Sequence, residues 1–150
     1  LINFYTAGLD WIIAGENTPP KGLGFFLMTT FLNGIVIEIG RKIRSKEAEE
    51  AGVETYSALY GGKKSALIWI LVLFSTFIMA VMASYVAGFG NIALIILASL
   101  LVAGLFVSFR FIKTQQQSHA RQIELMTWIW TLCMYLTLGA VPMVIKYFKG

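Results

Sequence analysis

The residues best suited to chemistry are concentrated in one charged segment, residues 38–57. It begins with Glu38, and Arg41 and Lys42 follow at the i+3 and i+4 positions, which share one face of a helix. Three further glutamates come at steps of three and four: Glu47, Glu50 and Glu54. A helix that continued through the segment would align these side chains as well.

Two interpretations of this charged segment are open. Carboxylates beside Arg and Lys suit a phosphorylated substrate, because Mg²⁺ takes one or two carboxylates plus phosphate oxygens. Arg offers phosphate a planar fork and Lys offers it a point charge. The alternative is a solvated helix, on which i,i+3 and i,i+4 ion pairs neutralise charges that set the membrane topology.

The elements that position this segment are membrane-spanning helices. Hydrophobic residues make up 57% of the 150 residues and charged residues only 13%, about half the roughly 25% of an average soluble domain. Residues 65–109 form a run of 45 without a charged side chain or histidine, whereas about 18 apolar residues suffice to span a bilayer. The composition excludes a disordered chain, a nucleic-acid-binding tail and a disulfide scaffold, and it indicates a polytopic membrane protein.

The apolar runs predict an all-α, polytopic transmembrane bundle in a single region, because helices satisfy the backbone inside a bilayer. The predicted helices cover about residues 4–14, 24–41, 65–87, 92–112 and 123–147. A charged loop over residues 42–64 joins the second helix to the third, and Pro142 predicts a kink in the last helix. A second polar loop, residues 113–122, contains His119, which we expect to be solvated.

Lysine and arginine are distributed unevenly between the two ends of the predicted bundle. Nine lie on the side of residues 41–64 and 110–122, and three lie on the other side. Because cytoplasmic loops carry the excess of Lys and Arg, loops 42–64 and 113–122 are predicted to face the cytoplasm.

Several aromatic and polar side chains lie within the apolar helices or beside them. The four tryptophans fall near predicted helix ends and suggest an interfacial aromatic belt: Trp11, Trp69, Trp128 and Trp130. Asn33 either hydrogen-bonds a neighbouring helix or lines a cavity. Thr55, Tyr56 and Ser57 either bind a phosphate or cap a helix, and the sequence does not separate these roles.

The sequence resembles the UbiA-type superfamily of intramembrane prenyltransferases. Residues 38–44, which read EIGRKIR, and residues 52–61, which read GVETYSALYG, carry the resemblance. The second stretch is similar to the pattern G-x-x-[ST]-x-x-x-x-x-G that follows the second carboxylate motif of the family. The resemblance implies that the chain corresponds to the C-terminal half of the family fold. The motif loop would join its sixth and seventh transmembrane helices, and residues 1–14 would end its fifth.

The resemblance implies Mg²⁺-dependent prenyl transfer. Carboxylate motifs hold the metal on a polyprenyl diphosphate, and metal and cations stabilise the departing diphosphate. An aromatic or similar lipophilic acceptor is then alkylated within the membrane. Carried onto this sequence, the resemblance gives metal-side carboxylates Glu38, Glu47 and Glu50, diphosphate ligands Arg41, Lys42 and Arg44, and possible cavity-lining residues Asn33 and Tyr56.

The sequence departs from the family pattern in both carboxylate motifs. The first, N-D-x-x-D-x-x-x-D, is absent from these residues, and the two Asp positions of the second fall near Arg44 and Ala48. Because the chain starts at Leu1 within an apolar stretch, we expect a longer parent protein and an inactive fragment. The alternative is a non-enzymatic transporter or scaffold fragment whose basic loop binds anionic lipid without Mg²⁺.

Overall fold

The computed structural model describes residues 18–19, 21–49 and 55–149. The helices are α1 (Leu23–Arg41), α2 (Tyr56–Tyr60), α3 (Gly62–Val86), α4 (Gly90–Thr114) and α5 (Gln117–Lys149), with a 3-10 turn at Lys46–Ala48. These ranges contain no strand. The predicted helix over residues 4–14 lies outside the described residues.

The four long helices alternate in direction and pack in a ring. Helix α1 packs on α3, α3 on α4, α4 on α5, and α5 returns to α1. All four are long and apolar enough to cross a membrane, α5 over Gln117–Ile145. The described part of the chain is therefore an all-α bundle with four helices long and apolar enough to span a membrane, as the composition predicted.

The ends of the helices follow from backbone chemistry. The α3–α4 turn passes through Gly88 with φ 86°, a left-handed conformation that glycine adopts without steric cost. Helix α4 closes on Gln115, which has φ 51° and donates its backbone N–H to the Phe111 carbonyl. Helix α5 continues as a helix through Pro142.

The second polar loop is much shorter than predicted. Helix α4 reaches Thr114 and α5 begins at Gln117, so only residues 115 and 116 connect them. The polar residues after Gln117 favour helix sufficiently to extend α5 by about a turn and a half beyond its apolar run. The expectation of a solvated His119 is wrong, because its side chain is 8% exposed and contacts Thr114 Oγ1 at 2.6 Å.

Two of the three tryptophans that the structure describes belong to the core of the bundle. Trp69 and Trp130 are fully buried, whereas Trp128 is 48% exposed. Trp69 Nε1 donates a hydrogen bond to Thr127 Oγ1 at 3.1 Å, which joins α3 to α5. The predicted interfacial belt is therefore wrong for Trp69 and Trp130, because both rings pack between helices, and Trp11 lies outside the described residues.

Candidate functional site

The carboxylate of Glu38 bridges two cations at the last turn of α1. Arg41 Nη2 lies 3.0 Å from Glu38 Oε2, and Lys42 Nζ lies 2.6 Å from Glu38 Oε1. These are the i,i+3 and i,i+4 pairs that the spacing predicted. The three side chains are 41–53% exposed, so solvent screens the pairs and they add little to stability. Together, the two cations and the one carboxylate form a surface with net positive charge.

The charged segment does not continue as a helix after α1. The backbone of residues 43–45 has no regular secondary structure. Side chains accept hydrogen bonds from two of its N–H groups. The backbone N–H of Arg44 donates to Ser57 Oγ at 2.9 Å, and that of Ser45 donates to Gln117 Oε1 at 2.9 Å. Ile43 is buried at 2% exposure, which anchors the segment to the bundle.

This anchoring fixes the backbone of Arg44 directly after the end of α1. Ile43 and Ser45 are buried, whereas Arg44 between them is half-buried. Neighbouring residues of a non-helical segment alternate in this way when one face packs on a core. The predicted diphosphate ligands Arg41, Lys42 and Arg44 therefore lie within four residues at one end of the bundle, and side chains of two other elements accept hydrogen bonds from the backbone of Arg44 and Ser45.

The predicted alignment of the glutamates is wrong, because α1 ends before it reaches them. Glu47 lies in the 3-10 turn, and Glu50 and Glu54 lie outside the described residues. The pKa of Glu47 is below its usual range, chiefly because its own backbone N–H stabilises the carboxylate. No group of three or more His, Cys, Asp or Glu side chains able to hold a metal ion forms within the described ranges.

Residues 55–57 cap α2 and tie it to α3. Thr55 Oγ1 accepts a hydrogen bond from the Ala58 backbone N–H at 3.1 Å and so caps α2. Ser65 Oγ donates to the Tyr56 carbonyl at 2.8 Å, which ties α2 to α3. The Tyr56 ring packs against the core of the bundle. The sequence left phosphate binding and helix capping open for Thr55, and these contacts show helix capping.

Asn33 is fully buried in the bundle and joins two helices. Its Nδ2 donates to Thr131 Oγ1 on α5 at 3.3 Å. A cavity of about 480 Å³ lies elsewhere, at the opposite end of the bundle, between the α3–α4 turn and Ile145. The structure therefore shows Asn33 in the first of its two predicted roles, an interhelical hydrogen bond.

Two side chains that hold the basic segment were not predicted in this role. Gln117 lies 72 residues from its partner Ser45, and Ser57 lies 13 residues from Arg44. Gln117 stood in a stretch predicted to be a loop, and no spacing rule connects it to residue 45. Ser57 was predicted to bind a phosphate or cap a helix, and in the structure its hydroxyl accepts a hydrogen bond from the Arg44 backbone N–H.

We expect substitutions of these acceptors to loosen the basic segment. In Gln117→Ala the Ser45 amide should exchange with solvent roughly fivefold faster, because a net hydrogen bond of about 1 kcal/mol is lost. Ser57→Ala should do the same to the Arg44 amide. Hydrogen exchange followed by mass spectrometry measures both. Gln116→Ala, at an exposed neighbouring side chain, is the control, and equal exchange in all three variants would contradict the anchoring.

Fold and site together define a class: a membrane-spanning, all-helical protein with a charged site where one spanning helix ends. Comparison with protein-family models, curated protein sequences and solved structures finds no match to this chain.

Proposed function

We propose that this chain is the second-motif half of a UbiA-type prenyltransferase. The enzyme would move a polyprenyl group from a polyprenyl diphosphate to an aromatic or similar lipophilic acceptor within the membrane, in a Mg²⁺-dependent reaction. The observation that carries the proposal is the anchored basic segment, in which Arg41 and Lys42 pair with Glu38 at the end of α1 and Arg44 follows with its backbone held by Ser57.

The position of this segment suits an amphiphilic substrate. A polyprenyl diphosphate has an apolar tail that belongs in the bilayer and a charged headgroup that belongs at its surface. The basic segment lies at the end of α1, where an apolar run meets polar residues. On the proposed topology this end faces the cytoplasm, because it carries the excess of Lys and Arg.

The cations would bind the diphosphate by exchanging partners. Arg41 and Lys42 are held by Glu38 and remain partly exposed. A diphosphate carries more negative charge than one carboxylate, so it competes effectively for these side chains. Arg44 adds a third positive charge whose backbone is already fixed. The three cations would stabilise negative charge on the diphosphate as its bond to the allylic carbon breaks.

The described residues fit part of a magnesium site. Mg²⁺ takes one or two carboxylates and completes its shell with phosphate oxygens and water. Glu38 would supply one carboxylate once Arg41 and Lys42 turn to the phosphates, and Glu47 and Glu50 are the further candidates from the sequence. When bound, the metal would act as a Lewis acid on the leaving diphosphate.

The proposal is tested in the protein that contains both carboxylate motifs. That protein should release diphosphate from a polyprenyl diphosphate only when Mg²⁺ is present. Arg41→Ala and Arg44→Ala should each lower kcat/KM by about 10- to 100-fold, because a charge-assisted hydrogen bond to phosphate is worth about 1.5–3 kcal/mol.

Arg121→Ala is the matched control, because Arg121 is an exposed cation at the same end of the bundle on α5. It should leave kcat/KM within about twofold, the size of effect that a screened surface charge has. Full activity in a Glu38→Ala, Arg41→Ala and Glu47→Ala triple variant would show that the site is wrongly assigned. No diphosphate release, together with Mg²⁺-independent binding of anionic lipid that Arg41→Ala and Arg44→Ala weaken, would favour the non-enzymatic alternative.

A further inference from the structure

A second basic surface lies at the same end of the bundle, on α3 and α4. We name it the α3–α4 basic corner, and its four exposed residues are Lys63, Lys64, Arg110 and Lys113. The lysine pair lies in the first turn of α3, and the other two cations lie near the end of α4. Gly62 packs against the Phe111 ring, so the beginning of α3 and the end of α4 are in contact.

The positive charge of the corner is uncompensated within the described part of the chain. Neither α3 nor α4 contains an Asp or Glu, and the ion pairs found among the described residues are those of Glu38 with Arg41 and Lys42. Moreover, Lys63 and Lys64 lie at the N-terminus of a helix, where the helix dipole disfavours cations. An anion close to these lysines would offset this cost.

The side chain of Arg110 lies against an aromatic ring of its own helix. Its guanidinium carbon lies 5.8 Å from the centre of the Phe106 ring, one turn deeper along α4. Charged side chains near the ends of spanning helices usually extend away from the hydrocarbon. Arg110 instead turns back over Phe106, and its fork of N–H donors remains exposed on α4.

An apolar surface continues from the corner toward the middle of the membrane. Large exposed hydrophobic side chains lie on both helices below the cations: Leu67, Leu71, Val102, Phe106 and Phe109. A ligand that fits such a surface has an anionic headgroup and apolar chains.

We propose that the α3–α4 basic corner binds an anionic phospholipid. The phosphodiester would lie among Lys64, Arg110 and Lys113, and the acyl chains would lie along α3 and α4. This binding does not depend on the prenyltransferase proposal, because it uses other residues on other helices and needs no Mg²⁺.

The test measures lipid selectivity in the full chain reconstituted in phosphatidylcholine vesicles. Spin-labelled phosphatidylglycerol and spin-labelled phosphatidylcholine report the relative association of the two headgroups with the protein. We expect a preference for phosphatidylglycerol, and a Lys64→Gln/Arg110→Gln double variant should lower it about tenfold, since each cation near the surface contributes substantially to binding an anionic lipid.

A Lys46→Gln/Arg121→Gln double variant is the matched control. It removes the same charge from exposed positions at the same end of the bundle, outside the corner, and should leave the preference within about twofold. Lys113→Gln is a second probe of the corner and should lower the preference about threefold by itself. An equal loss in both double variants, or no preference in the unaltered chain, would overturn the proposal, because the first result indicates a diffuse field and the second no binding.

Discussion

Replacing Gly40 with alanine is expected to lower the free energy of unfolding of the bundle by about 3 kcal/mol. Gly40 lies on α1 where this helix meets both α3 and α5. A methyl group at this position would overlap the Thr127 hydroxyl and come within 2.9 Å of Trp69 Nε1. Both groups are buried and hydrogen-bonded to each other, so neither moves aside cheaply, and the hydrogen bond itself would be disturbed.

Gly34→Ala is the matched control on the same helix. A methyl group there meets no atom within 4 Å, and alanine favours a helix interior over glycine by about 0.5–1 kcal/mol. Unfolding of both variants in mixed micelles with increasing sodium dodecyl sulfate measures the difference. If Gly40→Ala were as stable as Gly34→Ala, the close packing of α1 on α3 and α5 would be refuted.

Gly40 also affects the position of the charged segment. Gly40 stands in the EIGRKIR stretch, directly before Arg41 and Lys42. The structure gives this glycine a packing role, since it lets the end of α1 approach its neighbours. We therefore attribute its place in the stretch to positioning of the cations and not to contact with a ligand.

The second large effect is expected at Trp69. Trp69→Ala should lower the free energy of unfolding by about 4 kcal/mol, the usual cost of deleting a fully buried aromatic side chain. It would leave a cavity between α3 and its neighbours and would leave the Thr127 hydroxyl without the indole donor.

Trp128→Ala is the control for Trp69. Its ring is about half exposed on the outer surface of α5, and we expect a loss below about 1 kcal/mol. The same titration with sodium dodecyl sulfate compares the two variants. Equal losses would mean that Trp69 is an interfacial anchor, as the sequence alone predicted, and not part of the core.

Local spacing was enough to predict the ion pairs of Glu38. The i,i+3 and i,i+4 relations are properties of any helix, so they hold once α1 reaches residue 41. The same rule failed for Glu47, because it assumed that the helix continues. Ser57 and Gln117 accept hydrogen bonds from the backbone after α1, and these acceptors compete with the helix for the donors of residues 44 and 45.

The sequence by itself determined that the described part of the chain is all-helical and that its long helices are apolar enough to span a membrane. A bilayer demands long apolar runs whose backbone is satisfied internally, and composition alone records such runs. It also determined which end of the bundle is basic, since charge follows directly from residue type.

Only the tertiary structure decided which face of each helix is buried and where the chain turns. An apolar helix in a membrane has no polar side to mark its surface, so Trp69 and Trp128 look alike in the sequence although only Trp69 is buried. The path of residues 43–45, the buried position of His119 and the close packing at Gly40 likewise depend on residues distant in the chain. Contacts between such residues leave no periodic signal in the sequence, and packing of the four helices is what brings them together.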